Sequence, residues 1–486
     1  MPVRPFSRDQ DWLLPPSLGE LIPEDHPVRF VAAFVDSLDE SAWAELGIRV
    51  DGEPLGAAAY HPRLLMTVWL YGFMSGIRSA RKLERACCEQ VPSMWLANCQ
   101  RPDHNTLWRF YRDNRESMRK MMRRTVRTAV KLGLVDLTVQ ALDGTKVSGN
   151  ATGERSYNSE GLEKLIKRVD AAIADLEAQN TTDEGRLPGK LPKRLAKMKA
   201  LRTQVEVALA QVMAEDGPSN TNLTDADARL MKGRHGFVAG YNAQAVVSPL
   251  QEERAGGSGL LITAVGVDNE PSDYAQLTPM IEEAKESTGT AAGATLTDAG
   301  YHSGANLRAA YEKGYRVLMP DRQGEKEPDP YHRDRFTYDR ATDSYTCPEG
   351  KKLEFRGVTQ REDGRVMRVY HGTREDCLGC AAFGRCTKNK WHGRKVQVGL
   401  HEELRLQHRE MMASEEAKGL YKRRKELVEP VFGILKETQG VTRFLLRGLA
   451  NVRAEWALLA AAFNLRTLWK VWKRWSPERR LLLTAT

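Results

Sequence analysis

The chain predicts a mixed α/β fold preceded by an all-helical N-terminal region, and three observations carry that prediction. Short runs of β-branched and apolar residues, bounded by turn residues, recur between residues 137 and 319 and alternate with helical periods towards the end of that range. Residues 62–130 follow a helical period instead. Two of the β-type runs carry an aspartate in a small or apolar setting, and a buried carboxylate needs a partner or a metal.

Composition sets outer bounds. A chain of 486 residues has room for two to four domains. Its formal charge of +9 suits a polyanionic partner. Ten tryptophans and 41% hydrophobic residues support a real core. Met1–Trp12 is charged and polar, unlike a signal peptide. The apolar run Trp456–Leu465 is too short to span a bilayer. The expectation is a soluble, cytoplasmic protein with no membrane partner, whose seven cysteines are reduced or metal-bound.

Residues 1–60 read as turn-rich segments around a helix at Val28–Leu38. His61-Pro62 opens an apolar helix over Arg63–Gly76, Ser79–Gln90 gives a second, and Pro92–Cys99 is short and aromatic. Asp103-His104-Asn105-Thr106 is a capped start for one long helix. Helix, short turn, helix is compatible with a DNA-reading module. Nine basic and two acidic residues fall between Arg109 and Lys131. Arg112, Arg115, Arg119, Arg123 and Arg127, spaced by three or four, form one stripe. A solvated face explains such a stripe, but phosphate-backbone binding explains it better, because like charges repel unless an anion lies along them.

The first strand covers residues 137–147, where Val139, Ala141, Asp143 and Thr145 share a face. Residues 160–215 read as an inserted helical hairpin, with a polar turn at Gln179–Pro192. Strands follow at Phe237–Val247 and Leu260–Val267, then a helix at Tyr274–Glu286. The strand ending in Thr297-Asp298 turns at Gly300, and Ser303 caps a helix over Gly304–Lys313. Asp298 therefore sits at the carboxyl end of a strand, where open α/β sheets place their chemistry; capping of the next turn is the plain alternative. A fifth strand is expected at Tyr315–Met319.

Residues 325–415 interrupt this core with a charged segment carrying Cys347, Cys377, Cys380 and Cys386. The Cys377-x2-Cys380 pair can chelate a zinc ion completed by the other two; four free thiols are the alternative. Beyond it lies a helix with Glu429, on which Lys422, Lys425 and Lys436 share the acid's face. An i,i+4 ion pair on a solvated helix is the bland reading. Pro430 should kink or restart that helix. Val452–Trp472 is a long helix with an apolar stripe.

Strand, strand, strand, helix, strand, helix, strand describes a mixed five-stranded sheet of ribonuclease-H-like type, with a meander followed by crossovers. In that arrangement the first and fourth strands are neighbours, so Asp143 and Asp298 would meet and a packed helix would deliver Glu429.

On these residues the chain resembles the DDE transposases of bacterial insertion sequences. The resemblance runs through His61-Pro62-Arg63, Asp103–Thr106, Leu142-Asp143-Gly144-Thr145, Gly240–Gln244, Asp298–Ser303, the cysteine-bearing segment, Val428–Gly433, and Phe444–Leu449 with Glu455-Trp456. It divides the chain into a helical DNA-binding domain (1–131), a catalytic core (132–324 and 416–475) with the hairpin insertion (160–215), the cysteine-containing insertion (325–415) and a tail (476–486). It implies a triad of Asp143, Asp298 and Glu429 holding two Mg2+ (or Mn2+) ions, which cleaves element ends and joins them to target DNA. Double-stranded DNA, as terminal inverted repeats and as target, and a homodimer in the DNA complex follow from the same resemblance. In the family's third acidic motif, Glu429 and Lys436 match, Lys425 takes the arginine position with Arg424 one place early, and Tyr421 is one place early for the tyrosine. Arg424, Lys425 and Lys436 are expected on the DNA backbone, and Tyr421 is given no catalytic role. A non-catalytic DNA-binding regulator and a nuclease that never joins strands are the other functions this sequence admits.

Overall fold

The computed structural model describes residues 16–50, 59–182, 190–233, 236–321, 329–361 and 366–484. The chain forms two compact units, one of Met1–Asp273, Met280–Ala292 and Lys425–Thr486, the other of Tyr274–Pro279 and Gly293–Arg424. Among the described residues no helix is long and apolar enough to cross a membrane.

The first unit begins with helices, and their starts are written in side chains. Asp39 and Asp103 accept the Ala42 and Thr106 amides and so open helices Glu40–Leu46 and His104–Asp113. The expected single helix from Asp103 is in fact two, because Asn114 leaves helical geometry (φ −115°, ψ 31°) and its amide nitrogen donates to the Phe110 carbonyl. Asparagine competes for backbone groups in this way and favours helix ends. The second piece, Arg115–Lys131, buries Met118, Met121, Met122, Val126 and Ala129 and packs along the C-terminal helix Leu449–Arg474. Asn464 of that helix donates to Thr125, which satisfies two buried polar groups at once.

The sheet of this unit is antiparallel. Strand Gln140–Ser148 pairs with Gly236–Pro249, with Asp143 opposite Ala245 and Ser148 opposite Gly240. Gly236–Pro249 pairs in turn with Leu260–Asp268 and with Arg229–Gly233. The last strand escapes sequence reading because its run Arg-Leu-Met-Lys-Gly is charged at two of five positions. Gly240 is obligatory, since a Cβ there would lie 2.1 Å from the Val147 carbonyl oxygen. Helices Ser159–Thr182 and Lys190–Met213 pack on one another around Leu162, Val205, Ala208 and Leu223. Residues 183–189 of the expected polar turn lie outside the described residues.

In the second unit, strands Thr295–Leu296 and Val317–Leu318 pair in parallel through helix Gly304–Glu312, whose cap Ser303 accepts the Asn306 amide. The cysteine-bearing segment, read from sequence only as a charged insertion, is an antiparallel sheet of five strands: Lys395–Gly399, Val366–Gly372, Lys352–Gln360, Ser344–Thr346 and Thr337–Asp339, in that spatial order. Most of Lys352–Gln360 is exposed, which hides the strand from hydropathy; its covered face packs Leu353 with Tyr345, Tyr370, Val396 and Val398. Antiparallel and parallel strands flanked by helices make this a mixed α/β protein, consistent with the ribonuclease-H-like arrangement.

A compact charge network holds the second unit's helix Glu402–Ala413. Arg405, 9% exposed, bonds Asp321 at 2.7 Å, Asp334 at 2.9 Å, and Glu402; Arg409 bonds Asp321 at 2.8 Å and Asp334 at 3.0 Å. Burial pushes the Asp321 carboxyl up, but Arg409, His302 and Arg405 outweigh it and bring it down from 3.8 to about 2. A carboxyl depressed by folding contributes stability above its unfolded value and loses it as pH falls through the folded one. Asp321 should therefore contribute about 2 kcal/mol near neutrality, lost between about pH 4 and pH 2. Acid unfolding of Asp321→Asn, followed by circular dichroism, should show a shallower loss over that window than wild type. An identical pH profile would assign the acid sensitivity elsewhere.

Candidate active site

Asp143 sits in the middle of its strand, half-buried, with Oδ1 accepting the Gly144 amide at 2.9 Å. Thr145 is on the same face two residues on. The opposite face is locked. Asp273 Oδ1 accepts from Asn242 (2.6 Å), Gln244 (2.8 Å) and Lys146 (3.3 Å). A Cβ at Gly144 would meet Gln244 Nε2 at 2.4 Å and Asp273 Oδ1 at 2.7 Å, so the glycine lets this network close against the strand behind Asp143. Asp273 is a residue the sequence reading missed; nothing in its turn, Asn269-Glu270-Pro271-Ser272-Asp273, separates it from an ordinary surface acid.

The Gly240–Gln244 motif and the Phe444–Trp456 motif, far apart in sequence, meet here. Trp456 Nε1 donates to the Gln244 carbonyl, Tyr241 donates to Asp225 at 2.8 Å, and Phe444 stacks edge-on against both Tyr241 and Trp456. Asp225 and Asp227 accept the Gly448 and Leu449 amides, which sets the start of the C-terminal helix. Burial, reinforced by Asp225, raises the Tyr241 phenol far above its usual range, so it acts only as a donor.

Glu429 lies on helix Glu415–Gly433 and is exposed, without an ion pair or hydrogen bond among the described residues. The i,i+4 pair with Lys425 is not formed, and Lys422 and Lys425 are both exposed. The helix does not restart at Pro430, which lies inside it. Pro430 donates no rung of the ladder, the helix continues past it to Gly433, and the ladder then widens at the π-helical turn Ile434–Thr438, where Gln439 donates to Ile434. Such turns insert a residue and re-aim side chains, often at functional sites. This one carries Lys436, whose Nζ donates to Thr145 Oγ1 at 2.9 Å. An ammonium is thereby delivered to the face of the strand that bears Asp143. The segment that follows is stitched to the same strand, with Phe444 N donating to Ser148 O at 2.8 Å. Thr145 went unremarked as a partner, although its period-two spacing from Asp143 was the available signal.

Asp298 lies in the second unit, half-buried, directly after Thr295–Leu296 and Thr297. Its Oδ1 accepts the Gly300 amide at 2.8 Å and caps the turn Ala299–Tyr301, so the capping role exists. Tyr421, given no role from sequence, donates its hydroxyl to the Thr297 carbonyl at 3.1 Å and so pins the residue next to Asp298. Asn306 fastens the far side of the turn through the Tyr301 carbonyl.

The arginine stripe is divided among local partners. Arg112 pairs with Asp113, Arg115 with the Asn451 side chain, Arg119 with Glu116, Arg123 with Glu283 and Glu286, and Arg127 with Glu45. Like-charge repulsion is thus relieved within the protein, which removes the argument that an external anion is required. Arg112 and Arg119 remain the most exposed of the five. Arg424 is half-buried and Lys425 exposed.

Asp143, Asp298 and Glu429 are oxygen donors of the type hard divalent cations take, and one oxygen of each aspartate is already oriented by a backbone amide. Among the described residues no three His, Cys, Asp or Glu side chains are gathered into a metal-binding group. The donor chemistry of each acid fits Mg2+.

A mixed α/β core with aspartates on or directly after its strands, preceded by helices, is consistent with a ribonuclease-H-like fold. Residues 346–469 match the family described as Transposase DDE domain, and residues 16–113 match Transposase domain (DUF772). With a transposase family at each end, the chain is consistent with a DDE transposase of an insertion sequence. No curated protein matches it.

Proposed function

We propose that the chain binds the ends of its insertion sequence and catalyses their cleavage and transfer to target DNA, with Asp143, Asp298 and Glu429 as the catalytic acids. The observation that supports this most is the delivery of Lys436, seven residues after Glu429, onto the Asp143 face of the strand. A cation there holds a DNA phosphate beside carboxylates that would otherwise repel it. Asp143, Asp298 and Glu429 would hold two Mg2+ or Mn2+ ions, which supply activation of an oxygen nucleophile and stabilisation of charge at phosphorus when bound. The protein contributes position. The Asp273 network keeps the Asp143 strand rigid, Tyr421 fixes the residue before Asp298, and Lys436 orients the phosphate. Arg112, Arg115, Arg119, Arg123, Arg127, Arg424 and Lys425 supply backbone contacts after exchanging local acceptors for phosphate, at a cost that favours the exposed Arg112 and Arg119. A homodimer on paired DNA ends and action in the bacterial cytoplasm complete the reading.

The test uses purified protein, DNA from both flanks of its gene, and a supercoiled target plasmid. Mg2+-dependent joining of the flank 3′ ends to the plasmid is expected. Nicking without joining would indicate a nuclease of the same fold, and binding without either would indicate a regulator.

A further inference from the structure

We infer that Cys347, Cys377, Cys380 and Cys386 form a structural zinc site in the second unit. The four sulfurs come from separate places: the turn after Ser344–Thr346, the helix Arg374–Leu378, the turn that follows it, and the loop leading to Lys395–Gly399. All four nevertheless line one pocket, together with the charged residues Glu349, Lys351, Asp376 and Arg394. Sequence spacing alone left this open, because it shows one Cys-x2-Cys pair and no second.

Three features of the pocket suit thiolate ligands. Backbone amides already point at sulfur: Lys351 N to Cys347 Sγ (3.2 Å), Arg394 N to Cys377 Sγ (3.2 Å) and Ala382 N to Cys380 Sγ (3.4 Å). Amide donors stabilise sulfur most when it is anionic. The pocket also carries fixed positive charge. The Arg394 guanidinium is tied to the Cys386 and Tyr331 carbonyls, while its Nε is buried without a hydrogen-bond partner. A zinc tetrathiolate bears two negative charges, towards which Arg394 supplies a positive one; Lys351 is paired with Asp376 at 3.5 Å. Finally, the surrounding sheet has, among the described residues, a small core cluster of six buried side chains, against which Cys347 and Cys386 already pack. Cores of that size commonly need a metal or covalent staple.

Binding is a proton exchange: four thiols and one Zn2+ give a four-coordinate zinc tetrathiolate and four protons. Among the described residues the ligands are not yet gathered into a coordination shell, so the ion would draw them together as it displaces the protons. The remaining cysteines offer controls. Cys87 is buried, with its thiol pushed up to about 11 by burial, and Cys99 is exposed.

The experiment is metal analysis of the full chain, purified reduced and without chelator. One zinc per chain is expected, retained by Cys87→Ser and Cys99→Ser and lost from Cys377→Ser and Cys380→Ser. Because those two variants can misfold, the wild type is also stripped at low pH, refolded and loaded with Co2+. Intense near-ultraviolet thiolate-to-cobalt absorption at one equivalent supports the site. Reduced wild-type protein that holds no zinc and takes up neither Zn2+ nor Co2+ at micromolar concentration overturns it. The readout does not depend on DNA or on strand transfer, so its failure would leave the proposed function standing.

Discussion

Asp143→Asn should lower cleavage and joining by about a thousand-fold or more while end binding stays within a few-fold of wild type. A catalytic carboxylate acts on charge that develops in the transition state, worth several kcal/mol at about 1.4 kcal/mol per tenfold. On the proposed function, binding of the ends rests on phosphate contacts elsewhere. Asparagine keeps the shape, and its carbonyl still accepts the Gly144 amide, so a folding defect is not expected. The same experiment decides the third acid. Glu426 and Glu429 lie three residues apart on one helix, both exposed and both without ion pairs among the described residues. Only Glu429 keeps the spacing to Lys436, the cation that reaches the Asp143 face. Glu429→Gln should match Asp143→Asn, and Glu426→Gln should cost less than about tenfold, because an exposed charge contributes little. An inactive Glu426 variant beside an active Glu429 variant would move the register by one turn.

What was legible in the sequence followed from local rules. Asp103 as a cap, Ser303 as a cap, and strands at 137–147 and Phe237–Val247 are stated by side-chain type and periodicity, and the structure has both caps, with the strands at Gln140–Ser148 and Gly236–Pro249. What was not legible depended on tertiary partners. Asn114 ends a helix that propensity would continue, because its side chain finds the Phe110 carbonyl. The sheet of the cysteine-bearing segment is mostly polar on one face, so its strands resemble loops until they pair. The arginine stripe looked unbalanced because the counter-charges of Arg123 and Arg127, namely Glu283, Glu286 and Glu45, are distant in sequence. Of the candidate acids, Asp143 and Asp298 were suggested by context, whereas Asp273 leaves no pattern that a surface residue lacks, and the Lys436–Thr145 bond had only the period-two spacing of Thr145 from Asp143 as a signal.

Arg78→Met should destabilise the first unit by about 3–5 kcal/mol, the usual cost of leaving a buried charge without its partner. Arg78 and Glu455 pair at 2.6 Å with side chains 6% and 1% exposed, and neither was singled out for this role by pattern. Arg78 also donates to the carbonyls of Gly440 and Arg443, while Glu455 accepts the amides of Leu445 and Leu446. Together they clamp residues 440–446, the segment between the π-helical turn of Lys436 and the C-terminal helix. The double variant Arg78→Met/Glu455→Leu should recover only part of the loss. It removes the orphaned carboxylate, but the Leu445 and Leu446 amides lose their acceptor as well. Denaturant unfolding of the two single variants and the double variant gives the coupling directly. A deficit below about 1 kcal/mol in Arg78→Met would show that water replaces the pair at little cost. The functional consequence is separable from stability. At a temperature where the variant is still folded, a loosened 440–446 segment should release Lys436 from Thr145 and lower joining, whereas end binding through the helical region should persist. Equal joining by folded variant and wild type would confine the clamp to stability and leave the placement of Lys436 to the helix itself.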